Sequence, residues 1–304
     1  MMQLIESISE FHRLLSLPAP LHPLVSVINI NDVKHLDSTV WARFAANFYL
    51  VSIKHEVKVK LKYGQQYYDF DKGIMSFSSP KQVQAVERDA LNTTIQDLGS
   101  GWMLLFHPDF LYGHSLGSTI KGYGYFSYEF NEALHLSEKE EQTITELFAK
   151  IESEYQFIDA HTQNIILTQI ELLLQYCERY YQRQFITRKK ASNALLVQFE
   201  KIVNQYFDSN TAIDHGLPTL EDIASQLNIS PRYMSDMLRT LTGQSAQQHI
   251  QEVVIEKAKE KLSTTGLSVA EIAYELGFER PQSFNKLFKN KTNQTPLEFR
   301  GSFN

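Results

Sequence analysis

Residues 220–250 and 269–299 are two copies of one pattern. The first copy reads LEDIASQLNISPRYMSDMLRTLTGQSAQQHI and the second VAEIAYELGFERPQSFNKLFKNKTNQTPLEF. At an offset of 49, Ile223 matches Ile272, Ala224 matches Ala273 and Leu227 matches Leu276. The second copy then gains one residue, and at an offset of 50 Met234 matches Phe284, Met237 matches Leu287, Leu238 matches Phe288 and Arg239 matches Lys289. Gln244-Ser245 matches Gln294-Thr295. A single pair of short helices is a weak signal, because many bundles contain one. Two copies with the same apolar positions are far more specific.

Each copy reads as helix, tight turn, helix. Ser268-x-x-Glu271 is a capping box, in which hydroxyl and carboxylate exchange hydrogen bonds with the first-turn backbone. Gly277 supplies a left-handed turn at the end of that helix. Ser230 and Pro231 suit the N-cap and first position of the next helix, while Pro281 leaves Arg280 as a weaker cap in the second copy. Small Ala224 and Ala273 allow the two helices of a copy to cross closely. Such pairs form the helix-turn-helix, whose second helix enters a major groove of DNA. The segment 246–262 between the copies has no Pro or Gly. It is expected to be one rigid helix that fixes the spacing of the two reading helices, at about 231–242 and 281–291.

A helical wheel separates core from groove. Met234, Met237, Leu238 and Leu241 share one side in the first copy, with Arg232, Ser235, Asp236 and Arg239 away from it. In the second copy Phe284, Leu287 and Phe288 point inward, and Gln282, Asn285, Lys286 and Lys289 outward. These are the candidate DNA-binding residues. Arg and Lys donate to guanine O6 and N7, and Asn and Gln pair bidentately with adenine.

At these residues the chain resembles the AraC/XylS family of transcription regulators, over about 194–304. The resemblance implies sequence-specific binding of double-stranded DNA through two helix-turn-helix units. It also implies an N-terminal domain that senses a small-molecule effector or mediates homodimerisation; RNA polymerase is a further expected partner. The family's pattern more often has a basic or amide residue where Asp236 stands, so no phosphate or guanine contact is carried over to that position. Either Asp236 accepts from cytosine N4, or it pairs along the helix with Arg232 or Arg239 and holds that arginine.

Charge sharpens the Asp236 question. The chain carries 29 Lys+Arg against 35 Asp+Glu, a net of −6, which excludes a non-specific polycation mode of binding but not local basic patches. Residues 194–304 hold eleven basic and thirteen acidic side chains, unlike the usual basic DNA-binding domain. Yet Arg280, Lys286, Lys289 and Lys291 fall in a stretch without a carboxylate, whereas Arg232 and Arg239 flank Asp236. The second copy is therefore expected to supply phosphate affinity, and the first selectivity. Arg300 either touches phosphate or is a solvated surface residue.

The rest of the chain reads differently. Residues 24 to about 130 are expected to be β: LVSVINI, NFYLVSI, VKVKLKY, GIMSFSS and WMLLFH are short, rich in Val, Ile and aromatics, and separated by turns at Tyr63-Gly64-Gln65, Asp71-Lys72-Gly73 and Ser78-Ser79-Pro80. In VKVKLKY, Val57, Val59 and Leu61 alternate with Lys58, Lys60 and Lys62, the mark of a half-buried strand. Spacing of this kind suggests a small antiparallel barrel or sandwich; the family resemblance, here one of layout, makes it a cupin-like barrel followed by dimer-forming helices. Ser137-x-x-Glu140 caps one such helix. A second, about 161–184, has Ile166, Ile170, Leu173, Cys177 and Tyr180 on a seam, which Ile165, Leu172 and Tyr176 widen. That helix packs within the chain alone or also builds a homodimer.

The expected organisation is thus α+β: a cupin-like antiparallel β barrel with dimerisation helices over 1–186, a polar linker TRKKASN at 187–193, and an all-α domain of two helix-turn-helix units over 194–304. No run of about 18 apolar residues predicts a membrane span. The start MMQLIESISEF lacks a secretory pattern, and the single Cys177 forms no intrachain disulfide, so a cytoplasmic protein is expected. The alternative is a ligand-binding or metal-dependent cupin whose helical tail binds protein. His55, His107, His114 and His135 form no His-x-His pair with a Glu at metal-ligand spacing, and no phosphate loop or nucleophile elbow appears; no enzyme activity and no cofactor are expected. Tyr63, Tyr67, Tyr68, Phe70, Phe77, Trp102 and Phe106 either line an effector pocket or fill an ordinary core.

Overall fold

The computed structural model describes residues 3–33, 43–55, 61–63, 66–68, 73–85, 100–128, 132–187 and 189–302. The chain divides into two compact units, Met1–Gln184 and Phe185–Asn304.

The first unit opens with β1 (Gln3–Ile5), α1 (Ile8–Leu14), β2 (Val25–Asn29), β3 (Arg43–Ala46), β4 (Tyr49–His55), β5 (Leu61–Tyr63) and β6 (Gln66–Tyr68). β7 (Ile74–Ser78), β8 (Gln84–Ala85), β9 (Ser100–Phe106), α2 (Leu116–Thr119), β10 (Leu134–His135), α3 (Glu138–Tyr155) and α4 (Thr162–Thr187) follow. A five-stranded sheet has the order β10-β7-β4-β9-β2, antiparallel throughout. Its register sets Val51 opposite Leu104 and Ile53 opposite Trp102 on one face, with Leu50 opposite Leu105 on the other. Both faces are covered. Ile8, Phe11 and Leu15 pack with Ile5, Phe48 and Leu105 on one side. On the other, Phe77 meets Tyr125 and Tyr181, and the Cys177 thiol lies 3.7 Å from Met75 Sδ. Each fully buried side chain of this size contributes about 1.5–3 kcal/mol. A smaller sheet, β1-β3-β8, has β1 parallel to β3, and β5 pairs with β6.

The expected closed barrel is not formed by the described residues, whose sheets are open. The outer edge of β10 shows why a further strand is not needed there. Gln184 Oε1 accepts from the His135 N–H at 2.8 Å, Gln184 Nε2 donates to the Ala133 carbonyl at 3.2 Å, and Arg183 Nη2 donates to the His135 carbonyl at 2.8 Å. Side chains of α4 thus satisfy the edge groups that a neighbouring strand would otherwise pair.

The β region ends earlier than its composition predicts, at Phe106. Residues 108–128 are short helical turns, Pro108–Leu111, α2, Ile120–Gly122 and Gly124–Ser127. Pro108 stands at the start of the first, and His107 Nδ1 accepts from the Asp109 N–H at 3.2 Å, so β9 ends at Phe106. Residues 56–60, Gly64, Gln65 and Asp71-Lys72, which include most of the alternating lysine strand and two of the expected turns, lie outside the described residues, as do the side chains of Tyr63, Tyr67, Tyr68 and Phe70.

α3 starts with both hydrogen bonds of the Ser137–Glu140 capping box. On α4, Ile166, Ile170, Leu173 and Cys177 are fully buried, while Ile165 and Leu172 remain 40% and 44% exposed. The polar stretch 187–193 is helical on its described residues: Thr187 closes α4 and Lys189 opens α5 (Lys189–Asp208).

The second unit continues with α6 (Thr211–His215), α7 (Leu220–Leu227), α8 (Pro231–Thr242), α9 (Ala246–Thr264), α10 (Val269–Glu275), α11 (Pro281–Thr292) and α12 (Pro296–Gly301). α9 is one unbroken helix of 19 residues and touches α5, α8, α10, α11 and α12. It is the shared spine of both repeat copies. No helix among the described residues is long and apolar enough to cross a membrane.

Candidate nucleic-acid interface

The two copies fold by the same local devices. After α7 the backbone turns through Asn228, at φ 53, and after α10 through Gly277, at φ 85. In each turn the next N–H returns to an alanine carbonyl: Ile229 to Ala224 at 3.1 Å, and Phe278 to Ala273 at 3.0 Å. This is the six-to-one bond of a Schellman ending. The second helices end on left-handed residues too, Gly243 at φ 76 and Asn293 at φ 61. Gly and Asn therefore exchange places between the copies, the two residue types that take this conformation most cheaply. Only Gly277 stood out in the sequence.

Caps set where each helix begins. Ser230 Oγ accepts from the Tyr233 N–H at 3.2 Å, with Pro231 first in α8. Arg280 caps α11 through backbone conformation alone. Capping boxes open α9, α10 and α12. The Ser268 and Thr295 groups that bond to Glu271 and Glu298 hold both carboxyls below their ordinary range.

Packing then orients the second helix of each copy. Met234, Met237, Leu238, Phe284 and Phe288 are fully buried. The second copy is built on an aromatic ladder, Phe278 to Phe284 to Phe288 to Phe299, with successive ring centroids 5.4, 5.8 and 5.6 Å apart. With those faces inward, Arg232 and Arg239 of α8 and Gln282, Asn285, Lys286 and Lys289 of α11 are exposed, and Ser235 and Asp236 half-buried.

Asp236 is paired within α8. Arg232 Nε donates to Asp236 Oδ2 at 3.0 Å, with the arginine side chain 51% exposed and the aspartate 26%. On α11, Lys286 makes no ion pair among the described residues, and Lys289 lies near enough to Glu298 to help lower that carboxyl. Lys291 reaches instead toward Glu252 of α9, at 3.8 Å. Glu252 also accepts from Gln244 Nε2 at 2.7 Å, so one spine carboxylate ties the ends of both second helices. Lys261–Glu275 and Lys257–Asp208, at 2.7 and 2.6 Å, hold α9 to α10 and α5.

Arg300 is half-buried rather than a solvated side chain. Its Nε donates to the Leu262 carbonyl at 3.2 Å, in the last turn of α9, where a cation complements the helix dipole. A groove of about 590 Å³ is lined by Glu252, Glu256, Lys257, Glu260 and Phe299 among others, and by none of the eight candidate residues. No three His, Cys, Asp or Glu side chains cluster as a metal site among the described residues.

A family model described as a helix-turn-helix domain matches residues 223–302. An HTH-type transcriptional regulator in the cgkA 5' region of Pseudoalteromonas carrageenovora is 32% identical over 131 residues, 42% of this chain and 76% of that protein. The chain belongs to the AraC/XylS family. Two longer proteins are similar over a smaller share of their own length. The HTH-type transcriptional regulator YfiF of Bacillus subtilis is 32% identical over 139 residues, 46% of this chain and 41% of YfiF. The Msm operon regulatory protein of Streptococcus mutans is 28% identical over 130 residues, 43% of this chain and 44% of that protein. The chain thus matches less than half the length of both. The matched family segment takes in both helix pairs of this AraC-family chain but for the first three residues of α7, with the spine between them and all eight outward residues.

Proposed function

We propose that this AraC-family chain is a sequence-specific DNA-binding regulator of transcription, with α8 and α11 inserted in successive major grooves of one duplex. The observation that carries the reading is that both outward faces are mounted on one spine. α9 alone spans roughly 28 Å at 1.5 Å per residue, of the order of the ~34 Å between major grooves on one face of DNA. Arg232 and Arg239 offer guanine or phosphate donors, Gln282 and Asn285 amide pairs for adenine, and Lys286 and Lys289 cations for phosphate.

Regulation belongs to the first unit in this reading. The exposed Ile165 and Leu172, with half-buried Tyr176, give α4 an apolar strip suited to a second copy. The antiparallel sheet followed by α3 and α4 supports a cupin-like layout, and an effector would act there. Phe77 and Phe106 are buried core residues, and the space beside Phe77, Tyr125 and Tyr181 is about 10 Å³, against some 300 Å³ or more for a small-molecule pocket. An effector at that point would have to displace packed aromatics. Contact with RNA polymerase is part of the same proposal.

A gel shift against fragments of the chain's own genome tests the reading. The full chain should form a complex that survives excess unrelated competitor DNA, and the chain lacking 194–304 should not. No competitor-resistant complex at any salt concentration would overturn it.

A further inference from the structure

We infer that Asp236 is a positioning residue that aims Arg232 at a guanine in the segment of the site met by α8. The inference rests on the DNA-binding reading and adds to it a role for a carboxylate on the face toward a polyanion.

The geometry is specific about which edge of the guanidinium is used. Asp236 takes Nε at 3.0 Å, one helical turn along α8. The edge formed by the two Nη groups is left facing away from the carboxylate. That edge is the two-donor fork that matches guanine O6 and N7. Arg232 is the second residue of α8, and the N-terminal residues of a recognition helix are those that contact base edges. Half-burial of Asp236 and half-exposure of Arg232 place the fixed end of the pair toward the protein and the donating end toward solvent.

Charge supports the same role. A lone arginine here would bind any phosphate within reach. With Asp236 beside it the pair is neutral toward the duplex at long range, so its contribution comes from short, directional bonds that the wrong base cannot make. α11 shows the opposite arrangement, with Lys286 in no ion pair among the described residues. The second repeat then supplies affinity through charge, and the first supplies choice through a held arginine.

The test is equilibrium binding of the full chain to its selected site and to every single-base-pair variant of it, for the wild type, Arg232→Ala, Asp236→Asn, Asp236→Glu and the Arg232→Ala/Asp236→Asn double variant, with thermal melts to confirm folding. The wild type should discriminate by about 5- to 150-fold at one guanine in the α8 segment. Arg232→Ala and Asp236→Asn should both flatten that position and no other, the double variant should flatten it no further, and Asp236→Glu should retain part of the preference. Asp236→Asn should also raise affinity for unrelated DNA. Preference unchanged in Asp236→Asn would overturn the inference, as would loss at a base pair that Arg232→Ala leaves intact, since Asp236 would then read a base itself. A wild type with no specific complex would overturn the DNA-binding reading, and this inference with it.

Discussion

Gly277 and Gly216 meet backbone to backbone. A Cβ on Gly277 would stand 2.6 Å from the Gly216 carbonyl carbon and 2.8 Å from its oxygen, and Gly277 is at φ 85. Two independent constraints therefore demand glycine. Gly277→Ala should cost at least about 2 kcal/mol, combining the left-handed penalty with the clash. Gly277→Asn should be no better, although Asn228 holds the equivalent turn of the first copy. Asn228→Gly should change stability by less than about 1 kcal/mol. Urea melts of the full chain, followed by a probe in the second unit, separate these outcomes.

Lys286 of α11 makes no ion pair among the described residues. Lys286→Ala should weaken binding across many DNA sequences and reduce the slope of log affinity against log salt by about 0.9, the loss of one phosphate contact. An unchanged slope would remove Lys286 from the phosphate contacts.

Arg300 behaves oppositely in this account. Its bond to the Leu262 carbonyl secures α12 against the end of α9. Arg300→Met should cost about 1–2 kcal/mol in stability and leave the salt slope of DNA binding where it was. A shallower slope with unchanged stability would make it a phosphate contact after all.

His12 introduces a pH dependence in the first unit. Its Nε2 lies 2.8 Å from Ser26 Oγ and its Nδ1 2.6 Å from the Pro18 carbonyl. Burial lowers its pKa below the ordinary 6.5, and the Pro18 bond offsets this in part. With the folded value depressed, the unfolded chain binds the proton more readily. The contribution of His12 is then full above 6.5 and is lost as the pH falls from 6.5 through the folded value. The melting temperature of the first unit should fall over that window, and His12→Gln should fall less steeply.

The second unit was largely legible in the sequence because its signals are local. Apolar spacing, Ser and Thr caps, prolines at helix starts and Gly277 all act within a few residues, and the repeat checks each against a second copy. Asn228 and Asn293 escaped notice because Asn is common on surfaces and its left-handed use shows only in the backbone. Glu252 escaped because Gln244 meets it around the turn between α8 and α9, and Lys291 from the other copy. In the first unit, strand-forming residues predicted β2, β4, β7 and β9 well. The open edge did not follow from them, since it depends on Arg183 and Gln184 reaching β10 from about fifty residues away. The helical turns of 108–128 were hidden by aromatics such as Tyr125 and Phe126, which suit strands and buried turns alike. α1 carries Ile8 and Phe11 on a segment too short for its periodicity to be clear. The sequence left both Arg232 and Arg239 open as partners of Asp236, and the ion pair found is with Arg232.

The central claim is that α8 and α11 read one duplex from a rigid spine. Inserting about 5 bp, half a helical turn, between the two protected segments of the footprinted site tests it most directly. Binding by the full chain should fall toward its level on unrelated DNA, and a further insertion to about 10 bp should not restore it, because α9 cannot lengthen. Undiminished affinity for the 5-bp insertion, with both segments still protected, would contradict the account.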